Sequence, residues 1–433
     1  MLGRRAFIAG GAAALPFLAA PVSGAVRTIR VSATPSIFKS MFEALCREFQ
    51  REHPGIVVEL SATSRDQDEE FFKTLRRALI HDLPDVSFQS FYHLRTLQRR
   101  GITVPLNGLI ANEPAWTRAS YDDSLTEIGS VGPAVMGLGA AVSLPIVYYN
   151  ADRVTPLLGS KPFPGGWPDI LALVERLARE ARPGELGGYC QHPHGGWIYM
   201  GMIESAGGRL VDAQGNPAIF ESPQSRRALE IYRAFGRAGQ ARALMGNDQA
   251  RQAFAGGTIA VLVDSSSSLA AFERQIGGRF RLGTARLPVV SAGRIPVSGI
   301  ASVLMTRDGV RQQAAWQFMK FVSGPAGQII IGRSSGYFPA NTAVVRRADW
   351  LGSYYDSRAL TRAVTESMPF AGRPYEFPGN NSSKIYSVIS DHVESVITLS
   401  RTPAEALDSM KRSVDALLPA RGDITGAISE EKQ

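Results

Sequence analysis

The apolar residues between positions 37 and 52 recur three and four positions apart, a spacing that places them on one face of an amphipathic helix. They are Phe38, Met41, Phe42, Leu45 and Phe49. His53-Pro54-Gly55 is expected to end the helix, because proline has no amide hydrogen to donate and glycine tolerates a left-handed turn. The pattern therefore predicts a helix from about Ile37 to Glu52.

Short apolar runs on either side of this helix predict strands. "TIRVSA" precedes it, and "IVVEL" follows it as a continuous β-branched run, which is typical of a strand buried on both faces. A second helical pattern covers about Asp68 to His81, and "PDVSFQS" then predicts a third strand. Strand, helix, strand, helix, strand in this order is the signature of a parallel sheet with crossover helices. We therefore expect an α/β fold.

The rest of the chain continues to alternate between strand-like and helical segments. "AVSLPIVYYN" (141–150) predicts one more buried strand, and helical spacing predicts helices over about 169–181, 222–239, 308–324 and 402–418. Ser222-Pro223 and Thr402-Pro403 are typical helix starts, since the hydroxyl caps the helix and proline suits its first position. No period of about 20 to 50 residues recurs, which excludes a solenoid.

Composition and charge exclude several classes of protein. The chain has 433 residues, of which 44% are hydrophobic and 20% charged, enough for two globular domains and too apolar for wholesale disorder. Lys and Arg outnumber Asp and Glu by 47 to 39, which gives a net charge of +8. The basic residues are scattered in pairs, and no nucleic-acid-binding motif is present. We therefore expect a basic solvated surface and no nucleic-acid partner.

The first 25 residues have the composition of an export signal, with a basic start, an Ala- and Gly-rich apolar stretch and a small-residue end. Arg4-Arg5 lies in a stretch that resembles a twin-arginine motif, and an ordinary secretory signal that contains two arginines is the alternative. Ser23 and Ala25 favour cleavage after Ala25. No other apolar run reaches the ~18 residues that span a bilayer. The sequence predicts an exported periplasmic protein that is not inserted in the membrane.

The chain has two cysteines, Cys46 and Cys190, which are too few for a disulfide framework. Cys46 lies on the apolar side of the first predicted helix, and Cys190 ends the strand-like "GGYCQ". We expect both to be small buried hydrophobic residues, and a single disulfide between them is the alternative.

Several segments, taken in order, resemble one family. "FEALCREFQREHPGIVVEL" resembles the first helix and second strand of the bacterial extracellular solute-binding proteins of ABC importers, in which a phrase close to F-x-x-E-H-P-G-I-x-V recurs. Later segments are similar too, namely "LPIVYYN", "QAFAGGTIAVLVDSSSSL", "AAWQFMKFVSGPAGQIIIGRSSGYFPAN" and "TPAEALDSM". The resemblance spans nearly the whole chain after the signal, and the subgroup it indicates is the sugar-binding and glycerol-phosphate-binding group.

The resemblance implies an α/β, two-lobe periplasmic binding protein fold, in which each lobe is a mainly parallel sheet flanked by helices and the ligand cleft lies between the lobes. The implied segments are a signal peptide (1–25), the N-lobe first part (26–144), the C-lobe first part (145–294), the N-lobe second part (295–336), and the C-lobe second part with the C-terminal helices (337–433). The chain would cross between lobes near 144–149, 295–299 and 335–340. The resemblance also implies a monomer without cofactor or metal, with a small-molecule solute and an ABC permease as partners.

Aromatic residues are candidates for contacts with the apolar faces of a sugar-like solute. Trp197 follows two glycines at the start of a predicted helix, and Tyr337 lies in the turn "SSGYFPAN". Phe91 follows the third predicted strand, at the carboxyl end where parallel sheets hold ligands. Packing in the core is the alternative for each of the three.

Polar candidates follow the strand "TIAVLVD", which ends in four serines. Hydroxyls and amides at a strand end that begins a helix suit a polyol or an anion, whereas helix capping is the alternative. By position in the family, Ser265 is the first choice here and Asp264 the second. The resemblance adds contacts at the crossings, at Ser143, Ser298 and Gly299. His194 is a further candidate, because its loop precedes Gly195-Gly196-Trp197 and is typical of polar lining.

One departure from the family bears on the solute. Glycerol-phosphate-binding relatives carry an arginine in the late loop that matches "RPYEFPGNN" (373–381), where this chain has Phe377, and an acid after strand three, where it has Phe91. Arg373 is the candidate substitute for that arginine. Two aromatic residues in place of charged ones favour a neutral saccharide or glycoside, and glycerol-3-phosphate or a glycerophosphodiester is the alternative.

The string "GRSSG" (332–336) matches the G-x-S-x-G motif of serine hydrolases and offers a function of another class, an exported hydrolase with Ser334 as nucleophile. A nucleophile elbow needs a strand, a tight turn and then a helix. The residues before Ser334 have a helical pattern, and Pro339 disfavours helical geometry in the residue before it. We therefore expect a binding protein rather than an enzyme.

Overall fold

The computed structural model describes residues 27–113, 121–192, 196–211, 217–220, 222–379 and 381–419. The predicted signal peptide and His194 lie outside the described residues. The strands are β1 (Arg27–Ser32), β2 (Ile56–Ser61), β3 (Val86–Ser90), β4 (Ser130–Val131), β5 (Ala134–Val135), β6 (Leu138–Ser143), β7 (Pro145–Asn150), β8 (Leu186–Cys190), β9 (Ile259–Ser265), β10 (Leu282–Arg286), β11 (Ile295–Pro296), β12 (Ser298–Leu304), β13 (Phe338–Pro339) and β14 (Ala371–Gly372).

The helices alternate with these strands. They are α1 (Lys39–Glu52), α2 (Gln67–Leu79), α3 (Leu94–Arg99), α4 (Asn107–Ala111), α5 (Ser124–Glu127), α6 (Ala151–Leu158), α7 (Trp167–Arg179), α8 (Trp197–Ser205), α9 (Pro223–Arg237), α10 (Asn247–Ala255), α11 (Leu269–Ile276), α12 (Gly309–Ser323), α13 (Pro325–Ser334), α14 (Ala343–Arg346), α15 (Ser353–Ser357), α16 (Arg362–Thr365), α17 (Ser382–Ile397) and α18 (Pro403–Asp415). Short 3-10 turns follow β3 at Phe91–His93 and β9 at Ser266–Ser268.

The first sheet has the strand order β13-β6-β12-β3-β1-β2. β1 pairs in parallel with β2 and β3, as the predicted crossover unit requires. β12 pairs antiparallel with both β3 and β6, and β13 pairs antiparallel with β6. The sheet is therefore mixed rather than mainly parallel, because the chain returns to it in the opposite direction after a long excursion.

The second sheet has the order β10-β7-β9-β8, in which only β8 and β9 are parallel. The prediction of a single strand over 141–150 is wrong, because β6 and β7 belong to different sheets and are separated by Leu144. A continuous apolar run gives no sign of such a break, since both strands are buried. The chain thus passes from the first sheet to the second at Leu144.

Helices cover both faces of the first sheet. β12 is buried along its length, and its successive side chains point to opposite faces. Ile300 and Leu304 pack with α1 and α12, whereas Ala301 and Val303 pack in the cluster that includes Leu94 of α3. This two-sided burial explains why "SGIASVLM" is almost uniformly apolar.

The predicted helix starts are present. Ser222 accepts a hydrogen bond from the Ser225 amide, and Pro223 is the first residue of α9. Thr402 and Glu405 form a capping box at the start of α18. These caps satisfy amides that a helix leaves unpaired, and they fix the two helices that pack together with α17 on the second sheet.

Burial confirms one sequence expectation and corrects another. Cys46 and Cys190 are free and buried, as predicted. β2 was expected to be buried on both faces, but it is an edge strand on which Val57 and Glu59 are exposed. Its β-branched residues favour an extended backbone whether or not they are covered.

The strands of the two sheets come from separate parts of the chain. Strands of the first sheet lie within 27–143, 298–304 and 338–339, and those of the second within 145–286. Although β13 follows residue 336, it pairs with β6 in the first sheet. We call the body built on the first sheet the first lobe and the body built on the second sheet the second lobe. Among the described residues, no helix has the length and apolar character to cross a bilayer.

Candidate functional site

The short segment from Ile295 to Gly299, which we call the return crossing, joins the second sheet back to the first. Ser298 pairs with Ser143, and Gly299 pairs with Val142. Gly299 has a φ of +146°, a conformation that side chains disfavour. A Cβ atom there would lie 2.0 Å from the Ala141 carbonyl oxygen. Only glycine therefore fits at this position without a shift of the backbone.

Phe91 and Gly299 are in close contact. A Cβ atom on Gly299 would lie 2.9 Å from Cε2 of Phe91, whose ring is 4% exposed. Ser90 caps the turn that carries Phe91, because its hydroxyl accepts a hydrogen bond from the Tyr92 amide. The end of β3 thus faces the return crossing, as expected for the carboxyl end of a parallel strand.

Two aromatic residues from distant parts of the chain bind consecutive carbonyl groups of the return crossing. The indole Nε1 of Trp197 donates to the Pro296 oxygen at 2.8 Å, and the Tyr92 hydroxyl donates to the Val297 oxygen at 3.1 Å. Trp197 is the first residue of α8 and is 6% exposed. The hydrogen bonds hold both aromatic rings beside the crossing.

Phe377 is connected to Tyr92 through the ring of Tyr386. Tyr386 of α17 lies 5.4 Å from Tyr92 and 5.4 Å from Phe377, in edge-to-face arrangements. Phe377 itself is fully buried. We call Tyr92, Trp197, Phe377 and Tyr386 the aromatic cluster.

Tyr337 lies on another side of the crossing. Its ring packs 5.0 Å from Phe38 and is 3% exposed. Burial raises the pKa of the Tyr337 hydroxyl to about 12, and the charge of Arg251 with hydrogen bonds to Ser267 and Gln67 limits the rise. Gln67 also donates from Nε2 to the Gly299 oxygen at 3.4 Å. Gln67 therefore connects Tyr337 to the return crossing.

The serines after β9 contact two of the crossings. The Ser266 amide donates to the Leu144 oxygen at 2.8 Å, and the Leu144 amide donates to Ser266 Oγ at 3.2 Å. The Gly336 amide donates to the backbone carbonyl oxygen of Ser267 at 3.2 Å. Ser265 caps the short turn, with its Oγ 2.8 Å from that of Ser267. We call Gln67, Ser265, Ser267 and Tyr337 the hydroxyl cluster.

Asp264 is held by partners inside the second lobe. Its carboxylate forms two bonds with the Arg251 guanidinium, at 2.7 and 3.1 Å. It also accepts from the Ser265 amide at 2.7 Å and from the Ser268 hydroxyl at 3.1 Å. Both carboxylate oxygens are thus engaged, and Asp264 fixes the position of the serines around it.

Two carboxyl groups near the aromatic cluster have raised pKa values. Burial raises the pKa of Glu204 to about 7, and Arg294 limits the rise. Burial raises the pKa of Glu376 to about 8, and the Arg95 charge with hydrogen bonds from Arg95 and Thr96 limits the rise. Both groups therefore hold their protons at a higher pH than an exposed glutamate.

The structure brings most of the predicted site residues to one region. Those that lie at or beside the crossings are Ser143, Ser265, Ser298, Gly299, Phe91, Trp197 and Tyr337. Phe377 reaches this region through Tyr386, whereas Asp264 is one strand position before Ser265 and paired with Arg251. His194 lies outside the described residues.

Sequence reasoning missed Gln67, Tyr92 and Tyr386. Gln67 begins α2, directly after the loop that follows β2, so the rule that placed Phe91 could have found it. Tyr92 is adjacent to Phe91, but no local pattern indicates the hydrogen bond from its hydroxyl to the distant Val297 oxygen. Tyr386 is on an ordinary apolar helix face, and no local signal distinguishes it from a core residue.

Ser334 is the last residue of α13, and its hydroxyl donates to the Ile330 carbonyl oxygen one turn earlier. The preceding segment is helical and the following residue, Ser335, is extended. The strand-turn-helix geometry of a nucleophile elbow is therefore not formed at this position. The "GRSSG" string is a helix end.

The chain matches a family model described as bacterial extracellular solute-binding protein over residues 44–353, which is more than half of its length. It is 24% identical over 294 residues to the sn-glycerol-3-phosphate-binding periplasmic protein UgpB of Pectobacterium atrosepticum. That match covers 64% of this chain and 64% of the relative, so the aligned part spans less than two thirds of the relative's length.

Two solved structures share the fold. UgpB from Mycobacterium tuberculosis in complex with glycerophosphocholine has a TM-score of 0.78 and 21% identity, and the match covers 95% of this chain and 100% of that one. Maltose-bound T. maritima MalE3 has a TM-score of 0.76 and 16% identity, with 90% and 100% covered. These similarities confirm the two-lobe periplasmic binding protein fold. With the family match over 44–353, they confirm the resemblance seen in the sequence: the chain belongs to the bacterial extracellular solute-binding protein family.

Proposed function

We propose that the protein is the periplasmic receptor of an ABC importer that captures a carbohydrate, either a sugar or a glycoside, and delivers it to the membrane permease. The observation that carries the proposal is that both clusters lie at the crossings between the lobes, the aromatic cluster and Gln67 at the return crossing and the serines at Leu144 and Gly336. Flat rings suit the apolar faces of a sugar, and hydroxyl and amide groups suit its hydroxyls. Both kinds of group lie where the two lobes join.

Capture in this proposal is a conformational process. An open form admits the solute between the lobes, and the solute stabilises the closed form because it contacts both. Tyr337 and Gln67 contribute from beside the first sheet and Ser265 and Ser267 from the end of β9. Specificity arises because each solute hydroxyl buried without a partner costs about 1–3 kcal/mol.

A receptor for glycerol-3-phosphate or a glycerophosphodiester is the second candidate. It is supported by the relatives, since the named proteins from Pectobacterium and Mycobacterium bind glycerol-3-phosphate and glycerophosphocholine, respectively. In this chain the late loop presents a half-buried carboxyl group, Glu376, beside the buried ring of Phe377. Arg373 in the same loop is exposed. These residues favour a neutral solute over an anionic one.

The remaining parts of the proposal follow from the family and from the N-terminal sequence. The signal peptide is removed near Ala25, by the twin-arginine or the general secretory route, and the mature protein is a periplasmic monomer. Its partners are the solute and the transmembrane subunits of the permease. No covalent step is proposed, because Ser334 ends a helix and bonds its own backbone.

A thermal-shift screen of the mature protein (26–433) tests this function. Saccharides, polyols and glycerophosphodiesters are added in separate wells, and a solute that binds the folded state raises the melting temperature according to its concentration and Kd. A shift with a saccharide supports the first candidate, and a shift confined to glycerophosphodiesters supports the second. No shift with any compound, together with turnover of ester or glycoside substrates, would contradict both.

A further inference from the structure

The late loop, of which the structure describes residues 373–379 and 381, makes a direct contact with the first lobe. The Glu376 carboxyl group accepts hydrogen bonds from the Arg95 amide at 3.0 Å and from the Thr96 amide at 3.3 Å. The Thr96 hydroxyl donates to the same group at 3.3 Å. Arg95 and Thr96 are in the first turn of α3, so Glu376 occupies the amino end of that helix.

The helix has no cap of its own at this end. His93, at the N-cap position of α3, makes no capping hydrogen bond with its side chain, and its Nε2 lies 3.0 Å from Asp68 instead. The first amides of a helix have no partner within the helix and require one from outside. Glu376 supplies that partner from a segment 280 residues further along the chain.

The two sides of the contact belong to different lobes. α3 follows β3 of the first sheet and packs beside β4. The late loop leads into α17, which packs on α9 and α18 over the second sheet. Tyr92 and Tyr386 form a second contact between the same parts, with ring centroids 5.4 Å apart. A movement that separates α3 from α17 therefore breaks both contacts.

We propose that Glu376 is a latch between the lobes, which holds α3 of the first lobe to the late loop of the second and so sets the closed fraction of the solute-free protein. A solute that binds the closed form has an apparent Kd equal to its intrinsic Kd divided by that fraction. The latch thereby sets the affinity of the receptor through the closed fraction. It rests on the lobe movement in the proposed function but not on the identity of the solute.

Pulsed electron–electron double resonance measures the distances between two nitroxide labels and tests the latch in the absence of solute. Cysteines replace Leu79, which is 81% exposed in α2, and Gln275, which is exposed in α11. Cys46 and Cys190 are buried, and burial raises the pKa of Cys46 to about 12, so the labels react at the introduced positions. Thiolate is the reactive form, and a high pKa suppresses it.

We expect Glu376→Ala to raise the ratio of long to short label distances about tenfold, the factor that corresponds to loss of one hydrogen-bonded carboxyl contact. Thr96→Val, which removes one of the three bonds, shifts the ratio in the same direction by a smaller factor. Glu366→Ala, at an exposed glutamate that follows α16, is the matched control and leaves the distances unchanged.

Unchanged distances in a folded Glu376→Ala variant would overturn the latch. If that variant fails to fold, Glu376→Gln decides in its place, since it keeps the shape and puts an NH2 group, which cannot accept a hydrogen bond, in place of one of the two acceptor oxygens. An unchanged ratio in Glu376→Gln and in Thr96→Val would then overturn it. Failure of the proposed function gives a different result, because a protein that binds no solute in the thermal-shift screen still shows the latch in this experiment.

Discussion

The hydroxyl cluster and the aromatic cluster both lie at the crossings between the lobes but are assembled in different ways. Ser265 and Ser267 come from one local run after β9, and the sequence alone points to them. The aromatic cluster takes one residue each from the turn after β3, the start of α8, the late loop and α17. The comparison teaches that hydroxyl donors are placed by a strand end, whereas the rings are placed by tertiary packing.

The return crossing contacts members of both clusters, and Gly299→Ala is the change with the largest expected effect. The added Cβ meets the Ala141 oxygen and the Phe91 ring, and the φ of +146° disfavours any side chain. We expect the free energy of unfolding in urea to fall by about 3 kcal/mol. Gly309→Ala is the control, since no atom lies within 4 Å of its added Cβ, and an equal loss there would contradict the steric reason.

Asp264→Asn tests how much the ion pair between Asp264 and Arg251, which holds the serines of the hydroxyl cluster, contributes to stability. The side chain of Asp264 is 3% exposed and that of Arg251 17%, so the change removes the buried one of the two carboxylates that pair with this guanidinium. We expect a loss of about 3 kcal/mol in the free energy of unfolding. Asp248→Asn removes a 72% exposed partner of the same arginine and is expected to cost less than about 0.5 kcal/mol. Similar losses in both variants would refute the importance of the buried pair.

The two clusters can be compared directly by solute affinity. Tyr337→Ala removes the ring and hydroxyl of the hydroxyl cluster, and Trp197→Ala removes the ring that bonds Pro296. We expect each to weaken binding of the compound found in the thermal-shift screen by about tenfold or more, measured by titration calorimetry. Urea denaturation checks that the variants remain folded, because deletion of a buried aromatic ring costs about 3–5 kcal/mol.

Trp350→Ala is the control for these titrations, since Trp350 is half-buried, lies against the Arg347 guanidinium and belongs to neither cluster. Its affinity is expected to equal that of the unmodified protein. Unchanged affinity in Trp197→Ala alone would restrict the site to the hydroxyl cluster. Unchanged affinity in both cluster variants would remove both rings from the site.

The pH dependence of stability distinguishes the two sides, because the carboxyl groups with raised pKa values are beside the aromatic cluster. Glu376 has a folded pKa of about 8 against 4.5 in the unfolded chain, so the folded state binds more protons between these values. Stability is therefore lost as the pH rises toward 8. Facing it are Arg95, whose charge opposes the shift, and the hydroxyl of Tyr386.

We expect the melting temperature to fall by a few degrees between pH 6.5 and 8 and the fall to be smaller in Glu376→Gln. Glu204, with a pKa of about 7, accounts for part of the remaining slope. Differential scanning calorimetry in buffers of equal ionic strength measures both curves. Parallel curves for the two proteins would show that Glu376 does not titrate in this range.

The smallest expected effect is that of Ser334→Ala. The Ser334 hydroxyl bonds only a carbonyl in its own helix, so its loss should change the free energy of unfolding by less than about 0.5 kcal/mol. Solute affinity should not change either. Ester hydrolysis by the unmodified protein that disappears in this variant would instead support the hydrolase function.

Much of the fold could be predicted from sequence because it is encoded locally. The spacing of apolar residues predicts the buried face of α1, and hydroxyl residues before proline predict the starts of α9 and α18. Apolar runs separated by helices predict the parallel unit of β1, β2 and β3. The family resemblance predicts a crossing near 144–149, whereas the apolar run itself gives no sign of the change of sheet at Leu144, since one run serves two buried strands. The edge position of β2 was missed for a related reason, because strand propensity does not report what covers the strand.

The candidate site was predictable in proportion to how local its signals are. The serine run, Trp197 and Tyr337 were indicated by their local sequence, and the family resemblance supplied Ser143, Ser298, Gly299 and Phe377. Gln67 contacts Gly299 across more than 200 residues, although its position after the β2 loop could have marked it. Tyr386 lies on a helix face like any other, so no pattern marked it. The bond between Trp197 and the Pro296 oxygen belongs to the same class of non-local information.

A crystal structure of the mature protein with the compound found in the thermal-shift screen tests the central claim most directly. The account predicts that the solute lies between the lobes, within contact distance of Tyr337 and Trp197 and against the return crossing. A solute bound on the outer face of either lobe, with both of these rings still covered by protein, would contradict it.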